Sequence, residues 1–194
     1  MDREQREDPT CRRMAESPLP AHGLPGPALT GFLAGATVFR RSAFLRAGGY
    51  EPRFFIGAEE GLLALDVMTL GFAIVYAPAL VVRHFPAKRD RGARRTLVAR
   101  NDLWTAWLRR DPRVAARQTL EFTAKAAATA RPLRAVFDAL RGLPWALRNR
   151  RVVPRRVEAL CKLVDDRLER DAAAEYSRIL RDAERADRAR SSIR

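Results

Sequence analysis

Strand-like patterning in this chain is confined to residues 32–82, and that restricts the fold more than any other feature. Phe32-Leu33-Ala34-Gly35-Ala36-Thr37-Val38-Phe39 is short, apolar and partly β-branched, and reads as a buried strand. Phe72 to Tyr76 and Leu80 to Val82 read as extended segments separated by Pro78. Between them, Arg41 to Ala47 reads as a short helix, with Ser42 near its start and Gly48 as a left-handed cap. Ala58 to Leu70 reads as a second helix; Leu62, Leu63, Leu65, Val67 and Met68 give it apolar surface and Gly71 stops it. The order strand–helix–helix–strand belongs to an α/β domain.

Beyond Pro86 the pattern is helical. Arg94 to Arg110 carries Leu97, Leu103, Trp104, Trp107 and Leu108, and Pro112 opens a further helix to Ala130. Pro132, Gly142 and Pro144 divide the next stretch into short helices. Val157 to Arg190 reads as one long helix, with Val157, Cys161, Val164, Leu168, Ala172 and Ile179 near heptad spacing. That stripe either packs on its own domain or mediates self-association through residues 157–190. Residues 1–27 are polar, carry Pro9, Pro18, Pro20, Pro25 and Pro27, and are expected to be disordered or loosely attached. The chain thus divides into a proline-rich N-terminus (1–27), an α/β unit (28–110) and a helical extension (111–194).

A chain of 194 residues at 47% hydrophobic can bury one core. It has no run of 18 uncharged apolar residues, which argues against a membrane-spanning helix, and nothing apolar follows Met1-Asp2-Arg3-Glu4-Gln5-Arg6 as in a signal peptide. Cys11 and Cys161 are far apart and read as free thiols in a reducing, cytoplasmic compartment. Residues 83–156 hold 20 basic and 5 acidic side chains, which accounts for the whole net charge of +14, the remainder being close to neutral. Such a block suits an anionic partner, whether a membrane surface, nucleic acid or a phosphorylated substrate; equally, arginines can simply solvate helix surfaces. Nucleic acid is disfavoured, because zinc-finger spacing, an aromatic RNA-binding strand and a helix-turn-helix are all missing from the pattern.

The chemistry-bearing residues cluster in one stretch. Gly48-Gly49-Tyr50-Glu51, Phe54-Phe55 and Gly57-Ala58-Glu59-Glu60 lead into a helix that also carries Asp66, and His84 follows the last extended segment. Carboxylates after a glycine-bounded turn and a histidine at a strand end can share a cleft. Each also has a plainer reading. Acids at a helix N-terminus are favoured by the macrodipole alone. His84 can be structural, Phe54 and Phe55 can anchor a core as well as stack on a sugar, and Trp104 and Trp107 can pack or meet a membrane face.

From Gly31 to Trp107 the chain resembles the C-terminal half of family 2 glycosyltransferases of bacterial, actinobacterial-like type. The matching positions are Arg40-Arg41, Gly48-Gly49-Tyr50-Glu51, Phe54-Phe55, Glu59-Glu60, Gly71-Phe72, Val75-Tyr76-Ala77-Pro78, His84 and Arg100-Asn101-Asp102-Leu103-Trp104. The resemblance implies a partial GT-A fold, a small sheet with flanking helices, over residues 28–110. It implies hexosyl transfer from a nucleotide sugar to a glycan or lipid-linked acceptor at the inner face of the membrane. Glu60 matches the catalytic aspartate that acts as general base, and Glu59 the residue before it. Phe54, Phe55, Gly57 and Asp66 fall on the substrate side, and His84 near a divalent metal, Mg or Mn. The family's second aspartate in that helix falls at Leu62 and its arginine at Asp66. No Asp-x-Asp motif occurs, and only residues 1–30 precede the match. The resemblance therefore implies a truncated chain without a donor-binding half, with weak or no transfer by itself. The alternative is a non-catalytic basic helical module that binds an anionic membrane or a partner protein.

Overall fold

The computed structural model describes residues 7–83, 91–128 and 133–191, except the side chains of 91–93, 125–128, 133–135, 179–180 and 182–191. Its elements run α1 (Pro9–Ala15), β1 (Ala28–Leu29), α2 (Arg41–Arg46), α3 (Glu59–Thr69), β2 (Ile74–Val75), α4 (Arg91–Arg109), α5 (Pro112–Ala128), α6 (Leu133–Arg148) and α7 (Arg155–Ser191). The architecture is mixed α/β with helical bulk. Among the described residues the only sheet is an antiparallel pair in which Ala28 faces Val75 and Leu29 faces Ile74.

The core is organised around α3, which is apolar on every side and accordingly buried along its length. Leu62 joins Phe54, Trp104, Leu108 and Ala146. Leu65 and Met68 join Val153, Val157 and Cys161 at the root of α7. Leu63, Ala64 and Val67 meet Phe32, with Phe39, Phe44 and Phe72 around them. On the far side of α4, Leu103 packs with Phe122 of α5 and Ala139 of α6. The carbonyls at the C-terminal end of α4 are capped from the segment after α6: the Arg150 guanidinium donates to Trp107 O and Arg110 O, and Arg151 N and Val153 N donate to Leu108 O and Arg109 O.

Several expectations hold. α2 ends at Gly48 and α3 at Gly71, both at positive φ, and α4, α5 and α7 fall where their apolar repeats and prolines place them. Both cysteines are free.

Others need correction. Residues 32–39 are not a strand: a 3-10 turn occupies Ala34–Ala36, and Val38 points to solvent. Leu80 to Val82 likewise form no ladder and are exposed. Strand propensity describes a surface that suits a pleated sheet, and among the described residues no strand forms a ladder with either segment. The strand–helix–helix–strand unit is therefore a two-residue ribbon beside helices.

α6 is a single helix in spite of Pro144. An interior proline costs about 3 kcal/mol, but the flanking side chains offset it. Leu143, Trp145 and Ala146 pack on the core around Trp104, whose indole Nε1 donates to Ala139 O at 2.8 Å. Gly142 makes this contact possible: a Cβ there would lie 2.2 Å from the Trp104 ring.

Residues 7–27 carry a helix and are tied to the rest of the chain. Asp8 caps α1 by accepting from Thr10 N at 2.8 Å, Ser17 Oγ donates to Ala28 O at 2.6 Å, Tyr76 N donates to Pro27 O at 2.9 Å, and Leu19 is buried. The stripe on α7 packs on its own domain through Val157 and Cys161, then emerges at the exposed Leu168 and Ala172; Ile179 lies outside the described side chains.

Candidate functional site

The carboxylates Glu59 and Glu60 are presented by a loop under conformational strain. Phe55 (φ 60°, ψ −68°), Gly57 (φ 90°) and Ala58 (φ 64°) all adopt positive φ immediately before α3. For a residue with a Cβ, left-handed backbone costs about 1–2 kcal/mol, so the rest of the structure must hold Phe55 and Ala58 in place. Two devices do so. Phe54 is fully buried under Leu62, Trp104 and Leu108. Asn101 on α4, also fully buried, donates through Nδ2 to Phe54 O at 2.9 Å and to Gly57 O at 2.6 Å. Arg100 orients that amide by donating to Asn101 Oδ1 at 2.9 Å, while its guanidinium lies 4.3 Å above the Trp104 ring. Gly57 is required twice over: its φ is positive, and a Cβ would meet Val98 Cγ2 at 2.6 Å.

Glu60 lines a cavity of about 390 Å³ enclosed by α1, the segment after β1, the start of α3 and the middle of α7. The walls are largely apolar, with Met14, Leu29, Phe32 and Leu33 on one side and Val164 and Leu168 on the other, and Arg13 and Arg167 also line it. One Glu59 oxygen, Oε2, is buried without a hydrogen-bond partner. Tyr50 stands beside the pair: burial raises its phenol above the ordinary value, and the Glu60 and Glu59 charges raise it further.

The remaining candidates separate from this arrangement. Phe54 is a core anchor with no face for a ligand, whereas Phe55 is exposed. Asp66 is held by Arg109 in a bidentate pair at 2.5 and 3.1 Å that ties α3 to α4, so it leaves no acidic edge on the helix. His84 lies outside the described residues. Among the described residues no three histidine, cysteine or acidic side chains come together to hold a metal ion, so the Mg or Mn implied by the resemblance has no described ligand set.

A second cavity of about 470 Å³ meets the first at Thr30 and Gly61. Arg110 lies on its wall, and although burial works against its charge, hydrogen bonds to Glu158 and Asp165 keep it ionised. Burial pushes the Cys161 thiol up to about 11, which leaves it protonated and unreactive at neutral pH. Asp102 is reached by solvent at this cavity but crowded by protein, and that desolvation pushes its carboxyl up to about 6. A carboxyl with a raised folded-state value favours the fold while protonated and loses that contribution as pH rises through about 6. Asp102→Asn should therefore melt at a higher temperature than the parent at pH 7.5 and at the same temperature at pH 4, as followed by circular dichroism.

No protein-family model, curated protein or solved structure matches the chain.

Proposed function

We propose that this chain carries the acceptor side of a glycosyltransferase of the GT-A type, with Glu60 as the general base. The observation that carries the reading is Glu60 at the head of α3, on the wall of the cavity and held there by a loop whose strain is fixed from two sides. Strained backbone concentrates where a side chain must be aimed rather than merely accommodated.

An alcohol is a poor nucleophile until a carboxylate within hydrogen-bond reach takes its proton. Here Glu60 would take the proton of an acceptor hydroxyl as its oxygen bonds to the anomeric carbon of the sugar, and the nucleoside diphosphate would leave with the electron pair of the broken bond. The apolar walls suit an acceptor that presents a hydroxyl on an apolar body. The exposed, β-branched Val38 and Val81 also fit the reading: a donor-binding half would supply apolar surface to cover them.

Titration of the ¹⁵N-labelled chain with octyl glucoside below its micelle concentration tests the acceptor side. Saturable shifts should map to Gly31, Phe32, Glu60 and Leu168. Glu60→Gln should weaken binding about 10- to 100-fold, the worth of one charge-assisted hydrogen bond. Shifts that map elsewhere, or an affinity indifferent to Glu60→Gln, would overturn the proposal.

A further inference from the structure

A surface helix normally turns its apolar side chains to the core and its polar ones to water, and α6 departs from this by carrying apolar side chains outside its core contact as well. One side of it, with Ala139, Leu143 and Ala146, packs on Trp104 and Leu103. Outside that contact, Phe137 (61% exposed), Leu140 (48%) and Leu147 (50%) stand in water together with the exposed Pro144. Their spacing, i, i+3, i+7 and i+10, makes one continuous stripe, and Arg141 and Arg148 at i+4 and i+11 run along its edge. The one acidic residue of α6, Asp138, is turned partly inward.

We infer that this outer face of α6 docks the protein on an anionic lipid surface. The argument is charge complementarity joined to shape. Residues 83–156 carry 20 basic against 5 acidic side chains. The arginines that form internal ion pairs there, Arg109, Arg110 and Arg117, are a separate set from those near the stripe. Arg141, Arg148, Arg151 and Arg155 are exposed and form no ion pair among the described residues. An apolar stripe edged by long basic side chains is what a helix lying in the headgroup plane requires: the apolar groups enter the acyl boundary while the guanidinium groups stay with the phosphates. A docking protein partner would also cover apolar groups, but it gives no reason for an edge that is wholly basic. No described helix is long and apolar enough to cross the membrane, so attachment would be along this face. The inference is independent of Glu60 and its cavity.

Flotation of the full chain with phosphatidylcholine vesicles, with and without phosphatidylglycerol, tests it. The parent should float only with the anionic vesicles and detach as salt rises. Arg141→Gln and Arg148→Gln should each weaken binding roughly fivefold, and the double variant Phe137→Ser, Leu147→Ser at least about tenfold. These positions are exposed, so all variants should keep the parent's melting temperature. Equal flotation with neutral vesicles would overturn the inference. So would stripe variants that bind anionic vesicles like the parent, or a stripe that proves to be a dimer contact, with the parent sedimenting as a dimer and the double variant as a monomer.

Discussion

Phe54→Ala should destabilise the fold by about 3–5 kcal/mol, the range for truncating a fully buried phenylalanine. The ring has no exposed surface and touches Leu62 of α3, Trp104 and Leu108 of α4 and Ala146 of α6, so three helices lose a shared contact and the hole has no route to collapse. Phe55→Ala is the internal control. Its side chain is exposed, so its removal should cost less than about 0.5 kcal/mol. Urea unfolding followed by tryptophan fluorescence reads both, because Trp104 lies 6.0 Å from the Phe54 ring. Had the adjacent phenylalanines formed a sugar platform, the two variants would unfold alike.

Asn101→Leu should cost about 3 kcal/mol, from two buried carbonyls losing their donor at about 1–3 kcal/mol each. The volume is nearly preserved, so little of this comes from packing. Phe54 O and Gly57 O bracket the strained segment, and both accept from the same amide. Beyond the loss of stability, the loop should loosen: amide exchange at Gly57 and Glu59 should accelerate in Asn101→Leu more than exchange at Leu65 or Met68 in the same helix. A uniform acceleration would show that Asn101 is only a core residue.

The difference between these two residues shows what was legible in the sequence. α3 announced itself by continuous apolar residues between glycines, α4 and α5 by a helical repeat and Pro112, and the root of α7 by Val157 and Cys161. In each, the residues that form the element also carry its signal. α1 was legible too, through Asp8 as a cap followed by Pro9 in the first turn, although the surrounding prolines masked it. The strand expected at residues 32–39 failed because a strand exists only in its ladder, and its partners are not written in its own residues. Pro144 misled in the same way: its cost is offset by Trp104, 40 positions away in the chain. At the site, the Glu59–Glu60 pair could be read, but the clamp that aims it joins Asn101 to a carbonyl across a separation of 44 residues and has no local pattern. Asp66 could be read as an acid near the pair, but its ion pair with Arg109, 43 positions away, has no local pattern either.

Glu60 remains the position on which the account turns. The most direct measurement introduces Glu60→Gln at the native chromosomal locus and compares the lipid and glycan fractions of parent and variant by mass spectrometry. One hexosylated species should fall by at least about 100-fold, in keeping with the loss of a general base. Its precursor should accumulate without the hexose, while the level and melting temperature of the protein stay unchanged. A variant that folds normally and leaves every hexosylated species at its parental level would contradict the account.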